Sequence, residues 1–313
     1  MLAFIIRRLI STVLVMGLVG VFIFLLLHLS PGDPAAIIAG DNATPAQIAA
    51  IRNSLGLDDP LHLQFARWAV RVLNGDLGIS IFSNVPVATL IGQRLWPTVS
   101  LAFTTIVLAV ALALAAGVLA AWKAGSLIDR LVMILSVVGF SLPVFVVGYL
   151  LIYVFAISLR WLPVQGYSPM SDGFWAWASH LILPSLALGL AYVALIARIT
   201  RTAMLDVLAE DYMRTARAKG VATGPMLLKH ALKNAGVPIV TVIGIGVALL
   251  IGGVVITETV FNLPGIGRLV VDAISKRDYP IIQGVILLFS GVYVIINLMV
   301  DLSYTLLDPR IRY

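Results

Sequence analysis

The stretch VSLAFTTIVLAVALALAAGVLAAW, residues Val99–Trp122, contains no charged side chain. As a helix it would measure about 36 Å, enough to cross a hydrocarbon layer of about 30 Å. Five further runs hold at most one charged side chain each: Leu9–Leu29, Leu131–Leu159, His180–Ala197, Val237–Ile256 and Ile281–Leu302, the last with Asp301 near its end. The whole chain of 313 residues is 60% hydrophobic and only 12% charged, where a soluble domain carries about 25% charged residues. The expected fold is all-α and membrane-integral, with six transmembrane helices. Arg7 and Arg8 precede the first run as they would in a signal peptide. That run is too long for a signal core, and Leu29-Ser30-Pro31-Gly32 lacks a small-x-small cleavage pattern, so it is read as a retained span.

Charge sets the orientation. With the N-terminus inside, the inner segments are the tail with Arg7 and Arg8, the turn Lys123–Arg130, the loop Arg198–Lys233 and the tail with Arg310 and Arg312. Together they hold 13 basic and 5 acidic residues, whereas the outer segments hold 8 of each. Lys and Arg accumulate on the cytoplasmic side, so both termini are expected there. The net charge of +6 follows from this asymmetry. No basic face interleaved with aromatics points to nucleic acid. Cysteine is absent and the four histidines are scattered, which removes disulfides, thiolate metal sites and a Cys nucleophile from consideration.

Three parts are expected: residues 1–29 as tail and first span, 30–96 as a helical outer segment, and 97–313 as a core of five spans. In the outer segment, Thr44-Pro45 starts a helix with Ile48, Ile51 and Leu55 on one face and Gly56 as its stop. Asp59-Pro60 starts a second, which places Phe65, Trp68, Ala69 and Val72 on one stripe and ends at Asn74-Gly75. Residues Pro86–Leu95 read as a third, leading through Pro97 into the second span. These helices lie on the outer membrane surface or against the outer ends of the bundle, as a structural cap or a docking surface. Pro143 is expected to kink the third span. Gly244, Gly246, Gly252 and Gly253 in the fifth span suit close helix approach.

Much chemistry is missing. There is no Gly-x-x-x-x-Gly-Lys-[Ser/Thr] loop to cradle nucleotide phosphates, no Gly-x-Ser-x-Gly elbow and no His-Glu-x-x-His. Ionisable groups inside a bilayer mark ion and proton pathways, yet only Glu258 and Asp301 fall within or near the spans, both towards their ends. A self-sufficient ion-coupled carrier or channel is therefore the remote alternative. A pathway driven by an energy source on another polypeptide fits better.

Such a partner needs a cytoplasmic handle, and Arg198–Val237 is the only inner segment long enough. Within it, Met213–Lys219 has good helix formers and Gly220 as a stop. Pro225–Leu232 then resumes as a helix, with Met226, Leu227 and Ala231 on one side and Lys229 and Lys233 exposed. The loop's basic charge is equally compatible with anionic membrane lipid.

The segment Glu210-Asp211-Tyr212-Met213-Arg214-Thr215-Ala216-Arg217-Ala218-Lys219-Gly220, followed by Lys229-His230-Ala231-Leu232-Lys233-Asn234-Ala235 and Pro238, resembles the EAA loop of ABC importer permeases. The match is to the dipeptide, oligopeptide, glutathione and nickel branch. Other segments resemble that branch as well: Leu29-Ser30-Pro31-Gly32-Asp33-Pro34, Leu55-Gly56-Leu57-Asp58, Gly75-Asp76-Leu77-Gly78, Phe261–Arg268, Arg277-Asp278-Tyr279-Pro280 and Leu307–Arg312. Arg214 and Thr215 stand where the general pattern has Glu and Ala, and Lys233 where it has a distal Pro; Ala216 and Gly220 match.

The resemblance implies a type I ABC importer permease fold in a bacterial inner membrane, and the first permease subunit of a pair. Implied partners are the second permease, two ATP-binding subunits and a periplasmic or lipid-anchored binding protein. No cofactor or metal is expected on this chain; ATP and Mg would be held by the ATP-binding subunits, so the chain is not expected to be an enzyme. Asp211, Tyr212, Met213, Arg214, Thr215, Ala216, Arg217, Ala218, Lys219 and Gly220 would couple to the ATPase. Candidate pathway or outer-gate groups are Ser141, Pro143, Glu258, Asn262 and Arg268. Glu258 would meet a ligand's ammonium, line the gate, or pair helices. Gln283 and Asn297 are read as inter-helix hydrogen bonds or pore lining, and Asp301 as a structural pair. Di- and oligopeptides are the expected cargo, with glutathione, a nickel chelate or another small solute as the alternative.

Overall fold

The computed structural model describes residues 2–29, 33–39, 43–54 and 56–307. Among these there is no strand, only an isolated bridge between Ile79 and Pro86. The chain forms two compact units, Met1–Arg94 with Leu269–Val294 and Leu95–Arg268 with Ile295–Tyr313.

The first unit contains α1 (Leu2–Leu29), α2 (Pro34–Ala39), α3 (Pro45–Ser54) and α4 (Leu61–Leu73). A capping box opens α3: Gln47 N–H donates to Thr44 Oγ1 at 3.4 Å, while Thr44 N–H donates to Gln47 Oε1 at 2.8 Å. Past its end, Gly56 has φ +63°, the left-handed value that makes glycine the stop residue. Asp33 ties this corner together, accepting from Ala35 N–H at 3.0 Å and from Arg52 at 2.6 Å. The expected stripe on α4 lands on α1, with Phe65 and Trp68 rings 5.4 and 5.9 Å from that of Phe24. Gln283 donates to the Ile23 carbonyl at 3.2 Å, making it an inter-helix bond.

Pro97 does not separate two elements. A single helix, α5 (Val87–Trp122), runs through it, so the expected third outer helix and the second span are continuous. The opposite happens at Pro143. Here α6 (Leu127–Ser141) stops, Leu142 is extended at φ −81° and ψ 130°, and α7 (Val144–Leu151) restarts at an angle of 108°. Pro143 is thus a break rather than a kink, because its ring drives the preceding residue out of the helical region. Beyond α7 the backbone widens into a π-helical stretch, Ile152–Ser158.

The long α8 (Phe174–Ala209) carries Pro184 internally without a break. It is followed by α9 (Asp211–Ala218), by α10 (Thr223–Pro225), a π turn (Met226–Ala231) and α11 (Leu232–Asn234), and then by α12 (Gly236–Val260). Last come α13 (Ile266–Lys276) and α14 (Tyr279–Leu307). The core of the second unit lies where α7, α8 and α12 meet, around Val147, Ile152, Leu183, Leu188, Leu250, Val254 and Phe261. Gly253 lets α12 approach Leu188 of α8, Gly244 faces Val300 and Gly246 faces Tyr192; Gly252 has nothing within 4 Å.

By length and composition, Val87–Trp122, Phe174–Ala209 and Tyr279–Val300 each suffice to cross a bilayer, and counting each bent helix pair as one span raises the number to five. The apolar part of α1, Ile10–Leu25, is shorter. The α6–α7 pair, bent by 108°, is a broken span or a re-entrant loop. Its start is fixed to one end of α8 by Asp129–Arg201, and residues just past its end pack on the opposite part of α8, where Phe155, Trp161, Leu183 and Leu186 share a groove.

Candidate functional site

The segment from α9 to α11 is built around one inward-facing methionine. Met213 is 2% exposed and packs with Ala121, Ala203, Met204, Met226, Leu227, Ala231 and Ile239. That assigns it to the seat of the helix and leaves the outer face to Tyr212, Arg214, Thr215, Arg217, Ala218 and Lys219, all exposed, with Ala216 half-buried. Asp211 sits in the first turn and Arg217 in the last, each at the end its charge favours. Tyr212 is held from the side, its hydroxyl accepting from Asn234 Nδ2 at 3.1 Å. As expected from spacing, Met226, Leu227 and Ala231 are buried while Lys229 and Lys233 are exposed.

Gly220 closes the helix. Its φ is +79°, its N–H donates to the Arg217 carbonyl at 3.0 Å, and Val221 N–H donates to Ala216 at 3.2 Å. This is a Schellman cap with glycine at the left-handed position. Nothing lies within 4 Å of where a Cβ would stand, so backbone conformation alone accounts for the glycine. Thus α9 is short, capped at its end and packed on the base of α8 and on the π turn Met226–Ala231 that leads towards α12.

A second polar cluster lies where α12 gives way to α13. Glu258 has no exposed surface. It accepts from Thr98 Oγ1 at 2.6 Å and from the backbone N–H of Arg268 at 3.0 Å. Thr98 Oγ1 in turn accepts from Ile266 N–H at 2.8 Å. Glu258 and Thr98 therefore cap the first turn of α13 from outside it, and Gly265 and Gly267 make room for the carboxylate. Asn262, with φ +52°, accepts from the Arg268 guanidinium at the turn's surface. Among the described residues, no hydrogen bond ties Ser141 or Pro143 to this cluster. Ser141 is exposed and its hydroxyl returns to the Val137 carbonyl at 2.8 Å, and Pro143 opens α7. Asn297 is half-buried; the side chain of Asp301 and the segment Asp308–Arg312 lie outside the described residues. No group of three or more His, Asp or Glu gathers as metal ligands would among the described residues.

With this geometry in place, two family descriptions match the chain. Residues 113–313 match the binding-protein-dependent transport system inner membrane component, and residues 1–102 match the N-terminal region of the same kind of membrane component. The chain belongs to this family of inner-membrane transport components. Its similarity to named members extends end to end. It is 61% identical, over 99% of both chains, to a probable peptide ABC transporter permease, y4tP, of Sinorhizobium fredii. It is 47% identical, over the full length of both, to the glutathione transport system permease GsiC of Escherichia coli K12. In fold it resembles a chain of the inward-facing MetNI methionine ABC transporter, with a TM-score of 0.57, 18% identity, and coverage of 70% of this chain and 96% of that one.

Sequence reading missed two contacts of this permease. Asp278 is buried and accepts from Ser80 Oγ at 2.6 Å and Ile81 N–H at 3.3 Å, which joins the turn just after Gly75–Gly78 to Arg277–Pro280. The other is Asp129, 5% exposed at its side chain, which receives Arg201 Nε at 2.5 Å and Nη2 at 2.7 Å. Gly125 N–H adds a third bond to Asp129 at 2.9 Å. This two-pronged pair fixes α6 to α8 a short distance before α9. Asp129→Asn is expected to lower the permease's stability by about 2 kcal/mol, the worth of one charge-assisted contact to a shielded group. Asp129→Ala, which leaves Arg201 without its acceptor, should cost more. Thermal unfolding of the detergent-extracted protein checks both, and a wild-type midpoint for Asp129→Ala would refute the assignment.

Proposed function

We propose that this chain is the first permease subunit of an ATP-driven importer of di- and oligopeptides in a bacterial cytoplasmic membrane. It contributes half of the translocation pathway as six spans, with both termini in the cytoplasm and residues 30–96 outside. Support for six comes from α1, α5, the broken pair α6–α7, α8, α12 and α14, which coincide with the six apolar runs. A homologous second permease completes the pathway, a periplasmic or lipid-anchored binding protein delivers cargo, and two ATP-binding subunits hold ATP and Mg. The chain itself binds no cofactor and is not an enzyme.

The observation that carries this reading is α9. A rigid, end-capped helix seated on the base of α8 and on the π turn that leads into α11 and α12 transmits a push from below into two membrane helices. Residues Asp211–Gly220 form that handle. At the outer side, Glu258, Asn262 and Arg268 shape the turn before α13, in the proposed gate region, and the break at Ser141–Pro143 bends a wall of the pathway. Peptide cargo is favoured over glutathione or a nickel chelate by the similarity to the Sinorhizobium permease.

Reconstitution tests the reading. With the second permease, the ATP-binding subunits and the binding protein in proteoliposomes, uptake of a labelled dipeptide should require ATP and every component. Uptake by this chain alone, without ATP, would replace the importer reading with a self-sufficient carrier.

A further inference from the structure

The helix α4 has two apolar faces, and α1 takes only one of them. Phe65, Trp68, Ala69 and Val72 share the half-buried side that meets α1 through Phe65 and Trp68. Leu63, Ala66, Val70 and Leu73 recur at intervals of three and four residues on the opposite side. There Leu63 is 46% exposed, Val70 57% and Leu73 86%. Between the two faces runs a polar stripe of Gln64, Arg67 and Arg71. Gln64 Nε2 donates to the carbonyls of Leu57 at 3.0 Å and Asp59 at 2.8 Å, and Arg67 pairs with Asp59, so this stripe faces the loop arriving from α3.

Lipid, the second permease or a soluble protein could cover the free apolar face. Depth excludes the soluble protein. Trp68 packs against Gly20, where a Cβ would stand 3.7 Å from its ring, and both Phe65 and Trp68 meet Phe24. On α1, Gly20 and Phe24 lie nine and five residues short of Leu29, the outer end of the apolar run, or about 14 and 8 Å at 1.5 Å per residue. A tilt of about 40° still leaves about 10 and 6 Å. A second ruler is α14. Gln283, two residues inside the run Ile281–Leu302, donates to the Ile23 carbonyl, which sets Gly20 about 7–8 Å inside that run. Both rulers place the contact below the head groups. At that level α4 lies beside α1, with its free apolar face turned away from the span. Composition then favours lipid over the second permease. Helix contacts in a bilayer use small residues, as at Gly20, whereas Leu63, Val70 and Leu73 are large and aliphatic.

We propose that α4 is an in-plane helix of the outer leaflet, with acyl chains covering Leu63, Val70 and Leu73 and with Gln64, Arg67 and Arg71 at head-group level. The proposal rests on α1 and α14 being spans. It sets this part of residues 30–96 among the lipids rather than above them, and is independent of cargo and of the ATP-binding subunits.

The chain has no cysteine of its own, so single-cysteine variants each carry one spin label. L63C and V70C are compared with S83C, in an exposed turn, and with V13C, on α1 at a site 71% exposed. The permease pair is reconstituted in vesicles of phosphatidylcholine and phosphatidylglycerol, and collision of each label with oxygen and with water-soluble chromium oxalate is read from power saturation. The labels at 63 and 70 should resemble V13C, with collisions with chromium oxalate several-fold rarer than for S83C and a depth of about 5–10 Å. The two positions are read separately, and L73C supplies a third on the same face, so loss of one variant leaves the test standing. Labels at 63 and 70 as open to chromium oxalate as S83C, or shielded from both reagents by a protein contact, would overturn the proposal while V13C in lipid upholds the spans. A V13C label open to chromium oxalate would overturn the spans and the proposal together.

Discussion

Gly220→Pro is expected to reduce ATP-driven uptake by at least about tenfold while the chain still inserts and extracts normally. Proline holds φ near −65°, whereas Gly220 stands at +79° with its N–H bonded to the Arg217 carbonyl. The substitution removes that bond and forces the cap open, at a cost of about 3 kcal/mol or more. The loss falls on α9 because no other side chain lies within 4 Å of the position. A graded series separates conformation from bulk. Gly220→Asn should be nearly tolerated, since Asn visits the left-handed region, and Gly220→Ala should fall between, at about 1–2 kcal/mol. If the defect is mechanical, ATP hydrolysis in the Pro variant should lose its response to loaded binding protein. Normal uptake by Gly220→Pro, or a series ordered by side-chain volume, would contradict this account of the loop.

That loop was among the most legible parts of the sequence because its signals are local. Helix formers from Met213 to Lys219 and the glycine after them specify α9 and its cap without reference to anything distant. Thr44, Pro45 and Gly56 mark α3 in the same local way. Proline was the ambiguous signal. Pro97 and Pro184 lie inside unbroken helices, while Pro143 separates two helices by 108°. Tertiary packing decides which happens: Pro184 is fully embedded among α8's buried residues, and Ser141 and Leu142 before Pro143 are exposed. The π-helical widening at Ile152–Ser158 has no periodic signature in so uniformly apolar a run. Nor do Ser80 with Asp278 or Thr98 with Glu258, because partners that far apart meet only once the chain has folded. The outward list for α9 was legible as a segment but not as a surface, since spacing alone did not show Met213 turning inward.

Glu258→Ala is the second substitution expected to act strongly. The side chain is wholly buried, and its oxygens receive the Thr98 hydroxyl and the Arg268 N–H. Removing it leaves those donors facing a cavity, and each buried donor left without its acceptor costs about 1–3 kcal/mol. Thr98 must then hold Ile266 N–H alone, so the first turn of α13 should loosen and carry Asn262 and Arg268 with it. Cysteines placed at Asn262 and Pro264 should become markedly faster to modify from outside in the Ala background. Glu258→Gln keeps one acceptor oxygen, and its effect should be about half as large. The ligand-contact reading of Glu258 predicts another pattern. In that case Gln would raise the KM for peptides with a free amino terminus more than for N-acetylated ones, with no change in cysteine accessibility. An unchanged turn in Glu258→Ala, together with that selective KM effect, would assign Glu258 to the cargo. A loosened turn with both peptide classes equally impaired would assign it to holding α13 in place.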